Sequence, residues 1–359
     1  MKPTRILHEL GQRLWLDSIS RELLGKLQHY IDDFSITGLT SNPTLFDAAI
    51  GSGTDYDRSI LDLACEDKHG EALFIELALE DLRRAADLFR PTFEASGGTD
   101  GWVSMEVSPL LAADTDGSIE SAREIHRQAA RPNLFVKIPG TPQGVPAIEE
   151  LIFAGIPINV TLLFSREQYL ASADAYLRGL ERRVASGLAP RVASVASLFV
   201  SRWDVAAKDR LPETLRNRLG IAVARRCYRA YRALLASPRW ARLVDAGALP
   251  QRLLWASTGT KDPKAPDTLY VEALAAPDTI NTMPEKTLLA FAEHGRVGEP
   301  LHALDGEAEA VLARCEQAGI DLESLAQQLQ DEGTQAFVKS WQELLKRIGD
   351  KSTALAAKA

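Results

Sequence analysis

Lys137 occupies a run of six residues, Leu134-Phe135-Val136-Lys137-Ile138-Pro139, in which every neighbour is apolar or β-branched. An ammonium buried there without a partner costs several kcal/mol, roughly, so such a group tends to give up its proton. A neutral, desolvated amine is what condensation with a carbonyl requires. Taken singly, a lysine at a strand end with its stem packed and its head in water would explain the same run. Five strand-like runs read together favour chemistry. Residues i and i+2 of a strand share a face. Trp15 and Asp17 thus oppose Leu14 and Leu16, and Ser104 and Glu106 oppose Val103, Met105 and Val107. Phe135 and Lys137 oppose Leu134, Val136 and Ile138, while Asn159 and Thr161 oppose Ile158, Val160 and Leu162. Ser197 and Phe199 oppose Leu198 and Val200. One face of each run is apolar, and the other turns polar late.

That inventory holds one amine, two carboxylates, amides and hydroxyls, and it suits covalent carbonyl chemistry. Lys137 would condense with a ketone, and the iminium would stabilise a carbanion at the adjacent carbon. Asp17 and Glu106 would move protons. Asn42, Asn159 and Ser197 could hold substrate hydroxyls, and Arg202 and Lys261 could receive a phosphate.

Such residues need a scaffold that gathers strand ends. Eight β-rich runs recur, at Arg13–Asp17, Ile36–Ser41, Gly101–Val107, Leu134–Pro139, Pro157–Leu163, Arg191–Phe199, Arg252–Thr258 and Asp278–Met283. Helical segments separate most of them. Ser165 with Gln168 reads as a capping box opening a helix through Ala185. Pro212 and Glu213 are expected to open an Arg-rich helix towards Ala236, ended by Ser237-Pro238. Strands alternating with helices predict an α/β fold, an eight-stranded (β/α)8 TIM barrel with additional helices. The open doubly wound sheet is disfavoured because no Gly-x-Gly-x-x-Gly follows an early strand. Residues 1–295 read as the catalytic barrel and 296–359 as a C-terminal helical extension. In that extension Phe337, Trp341, Leu344 and Ile348 repeat on one face that should dock on the barrel. Residues Lys351–Ala359 are expected to fray.

Composition narrows the function classes. The 359 residues are 45% hydrophobic and 25% charged with a net charge of -8, which argues against nucleic acid as the main partner. Arg218, Arg225, Arg229 and Arg232 recur at helical spacing and read as a solvated face. Cys65, Cys227 and Cys315 stand too far apart to suggest pairs or metal ligands, which suits a reducing cytosol. The six histidines show no metal-binding spacing, so neither metal nor cofactor is expected. No signal core opens the chain, and its longest apolar stretch, Phe153–Phe164, is too short to span a bilayer, so no membrane partner is expected. Asn159-Val160-Thr161 matches a glycosylation sequon by chance. Nothing in the sequence fixes an oligomeric state.

Eight segments in order resemble the transaldolase family, in its longer bacterial branch. They are Leu16-Asp17-Ser18, Gly38-Leu39-Thr40-Ser41-Asn42-Pro43-Thr44, Val103-Ser104-Met105-Glu106-Val107, Val136-Lys137-Ile138-Pro139, Asn159 to Ser165, Val195 to Arg202, Trp255 to Pro263 and Asn281-Thr282-Met283-Pro284. The resemblance implies a barrel whose fourth-strand lysine, here Lys137, forms the Schiff base. It implies that Asp17 exchanges a proton with the C4 hydroxyl, and that Glu106 and Thr161 relay protons through a water during carbinolamine dehydration. Asn42, Asn159, Ser197 and Ser257 fall at substrate contacts and Arg202 at a phosphate contact. The shorter relatives place a second arginine where this chain has Gly259, and Lys261 is the substitute at hand. The implied reaction transfers a dihydroxyacetone unit between sedoheptulose 7-phosphate and glyceraldehyde 3-phosphate. A simple aldolase on the same scaffold, cleaving fructose 6-phosphate or deoxyribose phosphate, is the alternative. Phe199, an apolar ring expected beside the enamine, favours transfer because it would keep water away. A non-catalytic sugar-phosphate-binding barrel is the distant alternative, disfavoured by two carboxylates and a lysine with no scaffold role.

Overall fold

The computed structural model describes residues 1–302 and 306–357. Eight parallel strands close into one barrel in sequence order, with the last strand pairing to the first. They are β1 (Arg13–Asp17), β2 (Ile36–Thr40), β3 (Trp102–Glu106), β4 (Leu134–Pro139), β5 (Ile158–Leu163), β6 (Ser194–Phe199), β7 (Gln251–Ala256) and β8 (Ile280–Met283). Each expected run contains or overlaps its strand, and the differences lie at the ends. The alternation read from the sequence therefore sorts side chains between a lumen and a ring of helices.

The lower lumen is filled. The Trp102 and Phe135 rings stack with centroids 4.0 Å apart, and Trp15 lies 6.2 Å from Phe135. Gly38 makes room for this layer. A Cβ there would stand 2.6 Å from the Trp102 carbonyl oxygen and 2.7 Å from the Trp15 indole. Beneath it, Asp100 accepts a hydrogen bond from Trp15 Nε1 at 3.1 Å and pairs with Arg13 at 3.2 Å. The lower end of the barrel is thus solidly packed.

The register shifts between β1 and β2, where Leu14 pairs with Ile36 and Trp15 with Gly38, and again in β5. In β5, Leu162 has φ of 59°, and the three steps from Val160 to Leu163 match only two, Ala196 to Leu198, on β6. This bulge shifts the phase. Val160 and Leu163 face the helical layer near Ser172, whereas Leu162 leans towards Gly333 of the C-terminal helix. The sequence reading grouped Leu162 with the helix-facing residues. The left-handed turn takes it out of that set.

Local signals set the helix ends. Ser165 accepts from the Gln168 amide at 3.1 Å and opens the helix Arg166–Ala185. Gln168 reaches one residue further back than in the usual box, accepting from the Phe164 amide at 2.8 Å. The Arg-rich helix does not start at Pro212. Glu213–Leu215 is an isolated 3-10 turn, Asn217 turns left-handed with φ of 57°, and the helix runs from Leu219 to Leu235. Its cap is remote in sequence. Buried Asp204 accepts from the amides of Leu219 and Gly220 at 3.0 and 3.3 Å and from the Tyr270 hydroxyl at 2.9 Å. Ser237 caps the next helix, Pro238–Asp245.

The arginine stripe is an ion-paired seam and not simply a solvated face. Arg218 and Arg225 meet Glu307, Arg229 meets Glu309 and Arg232 meets Asp278, at 2.6 to 3.0 Å. The acidic partners at Glu307 and Glu309 come from the helix Glu307–Gln317, a segment no local pattern could connect to the stripe.

The crossover from β2 to β3 carries three helices, Pro43–Gly51, Asp57–Cys65 and Gly70–Ala95. The C-terminal helix, Leu322–Ala356, lies along all three. Phe337, Trp341, Leu344 and Ile348 are all buried, as their spacing predicted. Trp341 meets Phe74 edge to face at 5.1 Å. Burying an aliphatic side chain of this size contributes roughly 1.5–3 kcal/mol. The expected fraying does not begin at Lys351. Its ammonium binds the carbonyls of Ile50 and Gly53 and pairs with Asp57, holding the helix to Ala356. Lys358 and Ala359 lie outside the described residues. Among the described residues no helix is long and apolar enough to cross a membrane.

Candidate active site

Parallel register sets three polar side chains abreast. Glu106 is level with Lys137, and Lys137 is level with Asn159, on consecutive strands β3, β4 and β5. Lys137 is 5% exposed. Its Nζ lies 3.2 Å from Glu106 Oε2 and 3.1 Å from the Ser41 carbonyl oxygen, and the ring of Phe337 stands over it with its centroid at 5.9 Å. The lysine is therefore buried with a partner, which the apolar run alone did not disclose.

The two carboxylates differ in what surrounds them. Burial pushes the Glu106 carboxyl above its usual range, against the attraction of the Lys137 charge and hydrogen bond. Its other oxygen, Oε1, is buried without a hydrogen-bond partner among the described residues. Asp17 is also raised, first by burial, while the Lys137 charge, a hydrogen bond from Thr40 and the Lys261 charge pull the other way. Thr40 donates to Asp17 at 2.8 Å, so its 2.7 Å contact with Thr282 has Thr282 as the donor. Asp17 thus ends a short hydroxyl chain, whereas Glu106 faces the amine directly.

Asn159 is fully buried and serves as a strut. Its Nδ2 donates to Ser104 Oγ at 3.1 Å, and its Oδ1 accepts from Ser197 Oγ at 2.7 Å. Ser197 therefore has lone pairs to offer a ligand but has already used its proton. Asn42 caps the helix Pro43–Gly51 through Oδ1, which accepts from the Leu45 amide at 3.1 Å and leaves its Nδ2 group for other contacts. Thr161 Oγ1 is buried with no partner among the described residues.

The rim carries the cations. Phe199, 8% exposed, packs against Phe164 at 5.3 Å, and the Arg202 guanidinium lies 5.2 Å from the Phe199 ring centroid. Arg202 is half-buried, and among the described residues no hydrogen bond or ion pair engages it. A partly desolvated, unpaired guanidinium is a receptor for an anion. Ser257, left-handed with φ of 56°, shares a 2.8 Å hydroxyl contact with Ser201, the residue before Arg202. Lys261 is exposed, and its Nζ lies 3.8 Å from where a Cβ on Gly259 would stand. The lysine thus folds back over Gly259.

Asp17, Glu106, Lys137, Asn159, Thr161 and Ser197 share the upper lumen, and Phe199, Arg202, Ser257 and Lys261 occupy its rim. Sequence reasoning missed Thr40, Thr282, the Ser41 carbonyl and Phe337. Thr40 could have been found from strand phase, being two residues beyond lumen-facing Gly38. Phe337 was seen only as a docking residue.

Comparison with known proteins places the chain in a family. A family model described as Transaldolase/Fructose-6-phosphate aldolase matches residues 14–348. The chain is similar to a protein named Transaldolase from Parafrankia sp. (strain EAN1pec), 45% identical over 98% of both chains. It is similar to the Transaldolase of Thermobifida fusca (strain YX), 44% identical over 98% of this chain and 99% of the relative. The Transaldolase of Thiobacillus denitrificans (strain ATCC 25259 / T1) is 45% identical over 97% of this chain and its own full length.

Proposed function

This chain belongs to the Transaldolase/Fructose-6-phosphate aldolase family, and on that premise we propose that Lys137 is its Schiff-base nucleophile. It is an enzyme with transaldolase activity. The observation that carries the residue roles is the buried amine of Lys137 held 3.2 Å from a carboxylate whose proton affinity burial has raised. Glu106 takes the ammonium proton, and the free amine attacks the ketone carbon of the donor. The new C–N bond forms as the carbonyl oxygen gains a proton. Glu106, with Thr161 and a water, then protonates the carbinolamine oxygen, which leaves as water to give the iminium.

Asp17 next removes the proton of the C4 hydroxyl. The C3–C4 bond breaks, its electron pair flows into the iminium as an enamine, and an aldose phosphate departs. The enamine attacks an acceptor aldehyde, Asp17 returns the proton, and hydrolysis frees Lys137. Asn42, Asn159 and Ser197 orient hydroxyls, while Arg202, with Ser257 and Lys261 beside it, holds the phosphate. The donors are sedoheptulose 7-phosphate or fructose 6-phosphate, and the acceptors glyceraldehyde 3-phosphate or erythrose 4-phosphate, without a cofactor.

Simple aldol cleavage is the second reading. Phe199 favours transfer, since an apolar ring keeps water from the enamine. We read residues 1–295 as the catalytic barrel and 296–359 as a helical extension packed on it, and the cytosol as the setting for three unpaired cysteines. Incubation with fructose 6-phosphate and borohydride, followed by peptide mass mapping, should place a reduced dihydroxyacetone adduct on Lys137 alone. An adduct on another lysine, or none from active enzyme, would falsify the assignment.

A further inference from the structure

The C-terminal helix presents Gln330, Gly333, Phe337 and Trp341 at spacings that put them on one face. Each meets a different part of the barrel. Gln330 Nε2 donates to the carbonyls of Gly140 and Leu162, beyond β4 and at the β5 bulge, at 3.0 and 2.9 Å. Gly333 lets the helix approach closely, since a Cβ there would stand 2.9 Å from Leu162 and 3.1 Å from the Arg202 guanidinium. Phe337, one turn on, is 6% exposed and faces Lys137 Nζ. Trp341 continues into the Phe74 cluster, away from the amine. Ser340 accepts from Thr44 at 2.8 Å, which ties the same helix to the one that Asn42 caps. The helix is therefore anchored on both sides of the point where Phe337 meets the reactive nitrogen.

We propose that Phe337 is a further catalytic residue, its ring face stabilising the cationic iminium formed on Lys137. This rests on Lys137 being the Schiff-base nitrogen. An aromatic face carries negative potential and attracts a cation within about 6 Å of its centroid, more strongly when water is excluded. Of the nitrogen species in the reaction, the ammonium and the iminium are charged, and the amine and the enamine are not. Once the nitrogen carries the substrate it has fewer protons to share between Glu106 and the Ser41 carbonyl. The ring face needs no proton and acts on the iminium undiminished. Removing the face therefore lowers the steady population of the iminium, the species borohydride reduces.

Phe337→Leu keeps an apolar side chain, somewhat smaller, and removes the π face. Trp341→Leu loosens the same helix without touching Lys137 and so controls for docking. Single-turnover borohydride trapping with fructose 6-phosphate should show about two- to tenfold less adduct on Lys137 in Phe337→Leu than in the parent. Phe337→Tyr, which keeps the face, should restore most of it. The ratio of Michaelis constants for fructose 6-phosphate and unphosphorylated fructose should stay unchanged in Phe337→Leu, because the phosphate end lies at Arg202. Undiminished trapping in Phe337→Leu, or an equal fall in Trp341→Leu, overturns the proposal while leaving Lys137 as nucleophile. Failure of the parent to be labelled on Lys137 overturns the underlying assignment as well.

Discussion

Asp17 and Glu106 both feel the Lys137 charge, and in the proposed mechanism their different surroundings divide the work. Glu106 touches the amine and keeps one oxygen unengaged among the described residues, whereas Asp17 is held by Thr40. Glu106→Gln should therefore slow Schiff-base formation, because an amide cannot take the ammonium proton. Asp17→Asn should still form the imine and fail at carbon–carbon cleavage. Rapid-quench trapping separates the two, and the same intermediate accumulating at the same rate in both variants would refute the division. Among the described residues no ion pair engages Arg202, and Glu332 acts on it only as a more distant charge, so a phosphate has first claim on it. Arg202→Ala should weaken fructose 6-phosphate by about 10- to 100-fold in Michaelis constant while barely affecting unphosphorylated fructose. Equal losses for both sugars would make Arg202 a structural residue. At this scale the sequence disclosed residue types and strand phase, which suffice for Lys137, Asp17 and Glu106. It could not disclose that Asn159 and Ser197 satisfy each other, since that bond joins two strands whose relative register no local pattern records.

Among the elements, the Arg-rich helix shows how far local signals reach. Pro212-Glu213 looks like a helix start, but the amides that need capping are those of Leu219 and Gly220, and Asp204 supplies the cap from 15 residues away. Strand alternation was legible in β1, β3, β4 and β6 and failed at Leu162, where a bulge beside the site re-aims one side chain. Asp204 also gives this element a pH signature. Burial raises its pKa from 3.8 to about 6. The native state then binds more protons than the unfolded chain between those values, so this contribution to stability falls as pH rises through the window. Relative to Asp204→Asn, the parent should lose about 2–3 kcal/mol of unfolding free energy between about pH 4 and about pH 7. Urea titrations at several pH values measure it, and parallel curves for the two proteins would dismiss the effect. The arginine seam should matter much less. Glu309→Gln, which frees Arg226 and Arg229, should cost no more than about 1 kcal/mol, and that cost should vanish in about 1 M salt.

Taken as one body, the molecule is a barrel with a packed floor and a mouth crossed by its last helix. The floor was foreseeable, since Trp15, Gly38, Trp102 and Phe135 alternate with the helix-facing residues. The crossing was not, because an amphipathic repeat says that a face is covered and not what covers it. Two buried oxygens in the upper lumen remain without partners among the described residues, Thr161 Oγ1 and Glu106 Oε1. Only the water of the proposed relay can satisfy them, and a buried polar atom left unsatisfied whenever that water is absent costs about 1–3 kcal/mol. Thr161→Val keeps the shape and removes the penalty. It should raise the unfolding free energy by about 1 kcal/mol while slowing carbinolamine dehydration, and a variant no more stable than the parent would show that the hydroxyl is not a burden. Heat and turnover therefore pull in opposite directions at position 161. A population of this protein selected for heat tolerance alone would shed that hydroxyl early. It would leave a hardier barrel that still captures its donor and can scarcely dehydrate it.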